Sequence, residues 1–94
     1  MRILTWNLQH GGGKRIDGII EVLSSHATDL LVLSEFRNNP PGEILRGERK
    51  RMGYRFQASP PADARTNTVL VAARESFEEL LAQGWIRCMA QSFP

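Results

Sequence analysis

Asp29–Glu35, DLLVLSE, decides how the chain folds. Four apolar residues run unbroken from Leu30 to Leu33, Ser34 interrupts them, and Glu35 follows. An apolar run without polar alternation predicts a strand covered on both faces, as in a parallel sheet. The stretch upstream supplies its partner. Arg2–Leu8 carries Ile, Leu, Thr and Trp and ends on a glycine cluster, which predicts a short strand. Between the two, residues 14–26 (KRIDGIIEVLSSH) place Ile16, Ile19, Ile20 and Leu23 at i, i+3, i+4 and i+7, one apolar stripe of an amphipathic helix. Strand, helix and strand in about 35 residues make a βαβ unit, so the fold class is α/β.

Downstream, RNNPPG reads as a loop with Pro40, Pro41 and Gly42 as breakers. Residues 43–52 predict a short charged helix, Tyr54–Ala58 a strand, SPPADART a loop, and Asn67–Ala73 (NTVLVAA) a second buried strand. Ser76 and Glu79 match the S-x-x-E capping box and predict a helical turn through Leu80 and Leu81. WIRCMAQ, residues 85–91, alternates weakly and reads as a last strand.

The bulk numbers bound the function. Ninety-four residues make one small domain at most. A net charge of +2 is too mild to mark a nucleic-acid binder by itself. The local balance says more: from Arg37 to Arg65 seven bases stand against three acids, an excess that can lean on phosphates. The single cysteine, Cys88, excludes an internal disulfide and suits a reducing compartment. No apolar run reaches the ~20 residues of a membrane span, and the first residues are patterned as a strand rather than a leader, so the expected location is cytoplasmic.

The chemistry gathers at the strand ends. Neighbouring parallel strands lie about 4.8 Å apart, and Asn7 and Glu35 both stand at carboxyl ends, where open α/β sheets bind ligands. Ile3, Thr5 and Asn7 share one face of their strand, and Leu31, Leu33 and Glu35 share one face of theirs, which predicts a carboxylate beside a carboxamide. An unpaired charge next to an apolar strand is costly, and a hard cation removes that cost. Magnesium takes oxygen ligands, keeps several waters and needs only one or two carboxylates. The same spacing also fits a solvated strand-end acid and a turn-forming asparagine.

These residues carry a resemblance. ILTWNLQ, then a helix, then DLLVLSEFR, is similar to the opening of the endonuclease/exonuclease/phosphatase superfamily, the deoxyribonuclease-I-like and exonuclease-III-like fold. GYRF followed by NTVLVAAR resembles the family's next pair of core strands, so the likeness covers Arg2 to about Arg74. It implies a two-sheet α/β sandwich that hydrolyses phosphodiester or related phosphate esters with Mg2+ or Mn2+, on substrates from DNA to inositol phosphates and sphingomyelin. It implies Glu35 as the metal ligand and Asn7 in the metal and phosphate hydrogen-bond network, both catalytic. Ser34 stands where the family often has Gln, and Thr68-Val69 where it has Gly-Val. The family's later G-D-x-N segment and its S-D-H segment, with the general-base histidine, have no counterpart in these 94 residues. Residues 1–94 therefore read as an incomplete N-terminal segment of such a domain, inactive alone, with sheet edges open to self-association.

Smaller signals have plainer readings beside them. Gly11-Gly12-Gly13-Lys14 misses both the P-loop and the G-x-G-x-x-G patterns and reads as a flexible turn. His10 and Arg37 are candidate substrate contacts, or else a loop histidine and a surface arginine. Trp6 and Trp85 read as core, and Cys88 as a small core residue. The alternative to an enzyme segment is a free-standing α/β module that binds an anionic partner through RGERKR, Arg46–Arg51.

Overall fold

The computed structural model describes residues 2–82. It holds β1 (Ile3–Asn7), a short 3-10 turn (Gly13–Arg15), α1 (Ile16–Ser24), β2 (Leu30–Phe36), α2 (Pro40–Arg51), β3 (Phe56–Ala58), β4 (Thr68–Ala73) and α3 (Phe77–Ala82). The readings of residues 85–91 as a strand and of Trp85 and Cys88 as core lie outside the described residues.

The strands form one four-stranded sheet in the order β1-β2-β4-β3. β1 and β2 pair in parallel across the α1 crossover, as the βαβ pattern predicts. β4 then runs antiparallel to both β2 and β3, so the sheet is mixed rather than wholly parallel. The chain is a small mixed α/β domain. Its two apolar strands, β2 and β4, take the centre, and the two more polar ones take the edges, because only the centre is shielded along both sides.

One face of the sheet carries the main core. Leu31, Leu33, Leu70 and Ala72 meet Ile16, Ile19 and Leu23 of α1 and Leu45 of α2, with Leu4 and Trp6 half-buried against them. Trp6 is thus a core contact, as its sequence setting predicts. The other face carries a smaller cluster, Leu30, Val71, Ala73 and Leu80, under α3. Ser76 accepts from the Glu79 amide at 3.2 Å, so the serine half of the capping box forms.

Two expectations are corrected. α2 begins at Pro40, not at residue 43 after a loop: Asn39 caps it by accepting from the Gly42 amide at 3.0 Å. The two prolines suit the first turn because their missing N–H groups would find no partner there anyway. The strand-face expectation also fails. The register pairs Thr5 with Val32 and Asn7 with Ser34, so Asn7 shares the face of Leu30 and Ser34, not that of Leu31 and Leu33. Glu35 leaves the alternation altogether, at a bulge between Ser34 and Phe36.

Candidate functional site

Glu35 is built into the backbone unusually. It has φ of 53°, left-handed for a non-glycine residue. Its carbonyl accepts from the Gly11 amide at 2.7 Å, which ties the bulge to the loop after β1. That loop is left-handed from Gln9 to Gly13, at φ values of 55°, 57°, 79°, 81° and 47°. Three devices hold it. Asn7 Oδ1 accepts from the Gln9 amide at 2.8 Å, Leu8 N–H donates to Ser34 O at 2.9 Å, and Arg15 Nη2 donates to Leu8 O and Gln9 O at 2.8 and 2.9 Å.

The glycine cluster now has a cause. A Cβ on Gly11 would stand 2.9 Å from Arg37 Cβ, and one on Gly12 would stand 2.5 Å from Ile19 Cδ1. The loop lies flat on Arg37 and α1 because those side chains are missing, which places His10 above the strand ends.

Four side chains meet there. Asn67 Nδ2 donates to Glu35 Oε1 at 3.0 Å, and Arg37 Nε donates to Asn67 Oδ1 at 2.8 Å. Arg37 Nη2 lies 3.1 Å from His10 Nδ1, and since a guanidinium only donates, this imidazole nitrogen is the acceptor. His10 Nδ1 also stands 3.9 Å from Glu35 Oε1, an ion pair when the ring is protonated. The imidazole is 72% exposed and the carboxylate 29%, so the cluster opens to solvent with Glu35 at its base. Glu35 Oε2 has no hydrogen-bond partner among the described residues.

Of the residues singled out from sequence, Glu35, Arg37 and His10 come together. Asn7 sits at the same end of the sheet, with its side-chain oxygen turned to its own loop, and no hydrogen bond joins it to Glu35 among the described residues. Asn67, which joins Glu35 to Arg37, was missed. Its one sequence signal was an asparagine directly before an apolar strand, where Asn7 directly ends one.

The donor set has a chemical preference. Among the described residues there is no group of three or more His, Cys, Asp or Glu that could hold a metal ion. One carboxylate with a spare oxygen, in an open setting, suits a hard cation that keeps most of its waters, and magnesium behaves so.

The basic stretch Arg46–Arg51 is divided by the fold. Arg49 is 1% exposed, paired with Glu48 and hydrogen-bonded to Ser24 Oγ at 3.1 Å. Arg46 donates to Glu43 and Asn38 and lies over the Phe36 ring. Only Lys50 and Arg51 of its bases are exposed. An open hollow of about 430 Å³ beside Arg46, Gln57 and Leu70 is equally committed, since Gln57 donates to the Arg46 and Tyr54 carbonyls. No helix among the described residues is long and apolar enough to cross a membrane. Comparisons with protein-family models, curated proteins and solved structures found no match.

Proposed function

We propose that the chain is part of a divalent-metal-dependent phosphoesterase of the endonuclease/exonuclease/phosphatase kind, acting on phosphodiesters such as those of DNA. In this reading the described sheet is one layer of a two-sheet sandwich. One observation carries the proposal. The non-glycine residues with positive φ among those described are Gln9, His10 and Glu35, and all three lie at this one cluster. Such conformations cost on the order of 1–3 kcal/mol each and gather where a site must be held ready. A bulge beside an active site commonly re-aims a side chain in this way.

Glu35 offers Oε2 to Mg2+ or Mn2+, while Asn67 holds Oε1 and fixes the plane of the carboxylate. A bound divalent ion supplies charge that polarises a phosphoryl oxygen and stabilises the leaving oxygen. Arg37, oriented by Asn67, presents its guanidinium to a phosphate oxygen, the geometry arginine favours. Exposed His10 borders the substrate side. Asn7 acts through the loop, by keeping the turn that carries His10. The reading assigns binding of metal and phosphate to these residues and a general base to none of them.

The test is an Mn2+ titration followed by electron paramagnetic resonance, with and without inorganic phosphate. Glu35→Gln is expected to lose Mn2+ binding and keep its circular dichroism. Arg37→Ala is expected to keep Mn2+ binding and lose the metal-dependent binding of phosphate. Undiminished Mn2+ binding in Glu35→Gln would overturn the proposal. The basic-module reading gains no support from a stretch in which Arg49 is buried and Arg46 is engaged by Glu43 and Asn38.

A further inference from the structure

We propose that the outer edge of β1 pairs with itself, joining two copies of this chain antiparallel about Thr5 into one continuous sheet. The proposal is independent of the role given to Glu35.

The two edges of the sheet differ in kind. β3 is three residues long, with Arg55 before it and Ser59-Pro60-Pro61 after it. Short length, charge and proline are the means by which proteins blunt an edge strand. β1 is longer, five residues, ILTWN; like β3 it follows an arginine, Arg2, but Leu8 and Gln9 rather than prolines come after it. Ile3 is 43% exposed, and Thr5 and Asn7 are exposed beside it.

The backbone pattern shows which groups face outward. Arg2 O accepts from Leu30 N–H, and Leu8 N–H donates to Ser34 O, so the even-numbered residues of this segment bond to β2. Alternation turns the amides and carbonyls of Ile3, Thr5 and Asn7 away from β2, and among the described residues no strand lies on that side.

The sequence itself selects a second copy as the occupant. In antiparallel pairing about Thr5, each threonine faces its twin, Leu4 faces Trp6 of the other copy, and Ile3 faces Asn7. Thr–Thr pairs stabilise a sheet, the Leu4–Trp6 cross-pairs bury apolar surface, and no like charges are opposed. Leu4 and Trp6 already pack on the helix-covered core, so their cross-pairs carry that layer through the twofold axis. The contact is isologous and closes at two copies. A single strand pair is small beside a standard interface, so the dimer forms only at high protein concentration.

Sedimentation velocity of the full chain across a concentration series that runs from the micromolar range up to about a millimolar tests this. The mass should rise from 10.6 kDa toward twice that value. Thr5→Pro removes an outward N–H that β2 does not use, and Thr5→Lys sets two charges face to face. Both should stay monomeric with unchanged circular dichroism, and Ala58→Lys on the β3 edge should still dimerise. A wild-type chain that is monomeric throughout, or a dimer that persists in both Thr5 variants, would overturn the proposal.

Discussion

Two clusters of arginine and carboxylate stand at opposite ends of this sheet, and they are put together differently. At the far end from Glu35, the guanidinium groups of Arg49 and Arg74 both lie over the Tyr54 ring, with charge-to-ring distances of 5.3 and 4.4 Å. Its hydroxyl donates to Thr28 O at 2.7 Å and meets Thr28 Oγ1 at 2.9 Å. Arg49 pairs with Glu48, and Arg74 donates to Thr28 O and Met52 O at 3.1 and 3.0 Å. Among the described residues no buried side-chain nitrogen or oxygen lacks a partner. At the near end, Glu35 keeps a spare oxygen, His10 is open to water, and the backbone is left-handed at three non-glycine residues. A closed, satisfied cluster specifies a fold. On the proposed reading, the open cluster held on costly backbone is arranged for a ligand outside the chain.

That contrast is best broken at its buried end. Arg49→Ala leaves Glu48 beside an emptied pocket without its partner, and loss of one member of such a pair costs about 3–5 kcal/mol. Urea unfolding should show that fall, while Mn2+ affinity of the folded fraction stays as it was. Gly11→Ala strikes the junction of loop and site. A left-handed alanine costs about 1–2 kcal/mol, and its Cβ would also press on Arg37. Its urea midpoint should drop accordingly, and its metal-dependent phosphate binding should weaken.

Asn67→Ala sharpens the comparison. As an exposed residue it should change stability by no more than about 0.5 kcal/mol. Loss of its hold on Glu35 should nonetheless lower Mn2+ affinity about tenfold, the scale seen when a ligand's supporting partner is removed. The smallest effect belongs to Asp63, whose carboxylate is held below its ordinary pKa by the Arg65 amide and the Thr66 hydroxyl. A lowered folded pKa adds stability at neutral pH that is lost as pH falls below about 4. Asp63→Asn should lower the neutral plateau of the stability profile slightly and converge with wild type at the acid end, which flattens the acid limb.

Much of this was written plainly in the sequence. The apolar run of β2, the i, i+3, i+4, i+7 stripe of α1 and the capping box at Ser76 each report a local period or a local hydrogen bond. Register is not local. Whether Asn7 faces the side of Leu33 or of Ser34 depends on how two strands slide, and simple alternation cannot foresee a bulge that takes Glu35 out of step. The stretch Arg46–Arg51 reads as a basic surface for an anionic partner because sequence shows charge and not depth. Its Arg49 is buried where Glu48 beside it on α2, Ser24 at the end of α1 and Tyr54 in the segment before β3 converge on it. Asn67 was overlooked since its partners, Glu35 and Arg37, stand about 30 residues away.

The most direct test sets the two carboxylates against each other in one experiment: urea unfolding of the wild type, Glu35→Gln and Glu48→Gln, each with and without Mn2+. A ligand that binds only the folded chain raises its stability. Wild type should gain from Mn2+. Glu35→Gln should keep its metal-free stability and lose the gain, whereas Glu48→Gln should lose stability and keep it. A Glu35→Gln chain that Mn2+ still stabilises as strongly as wild type would contradict the account.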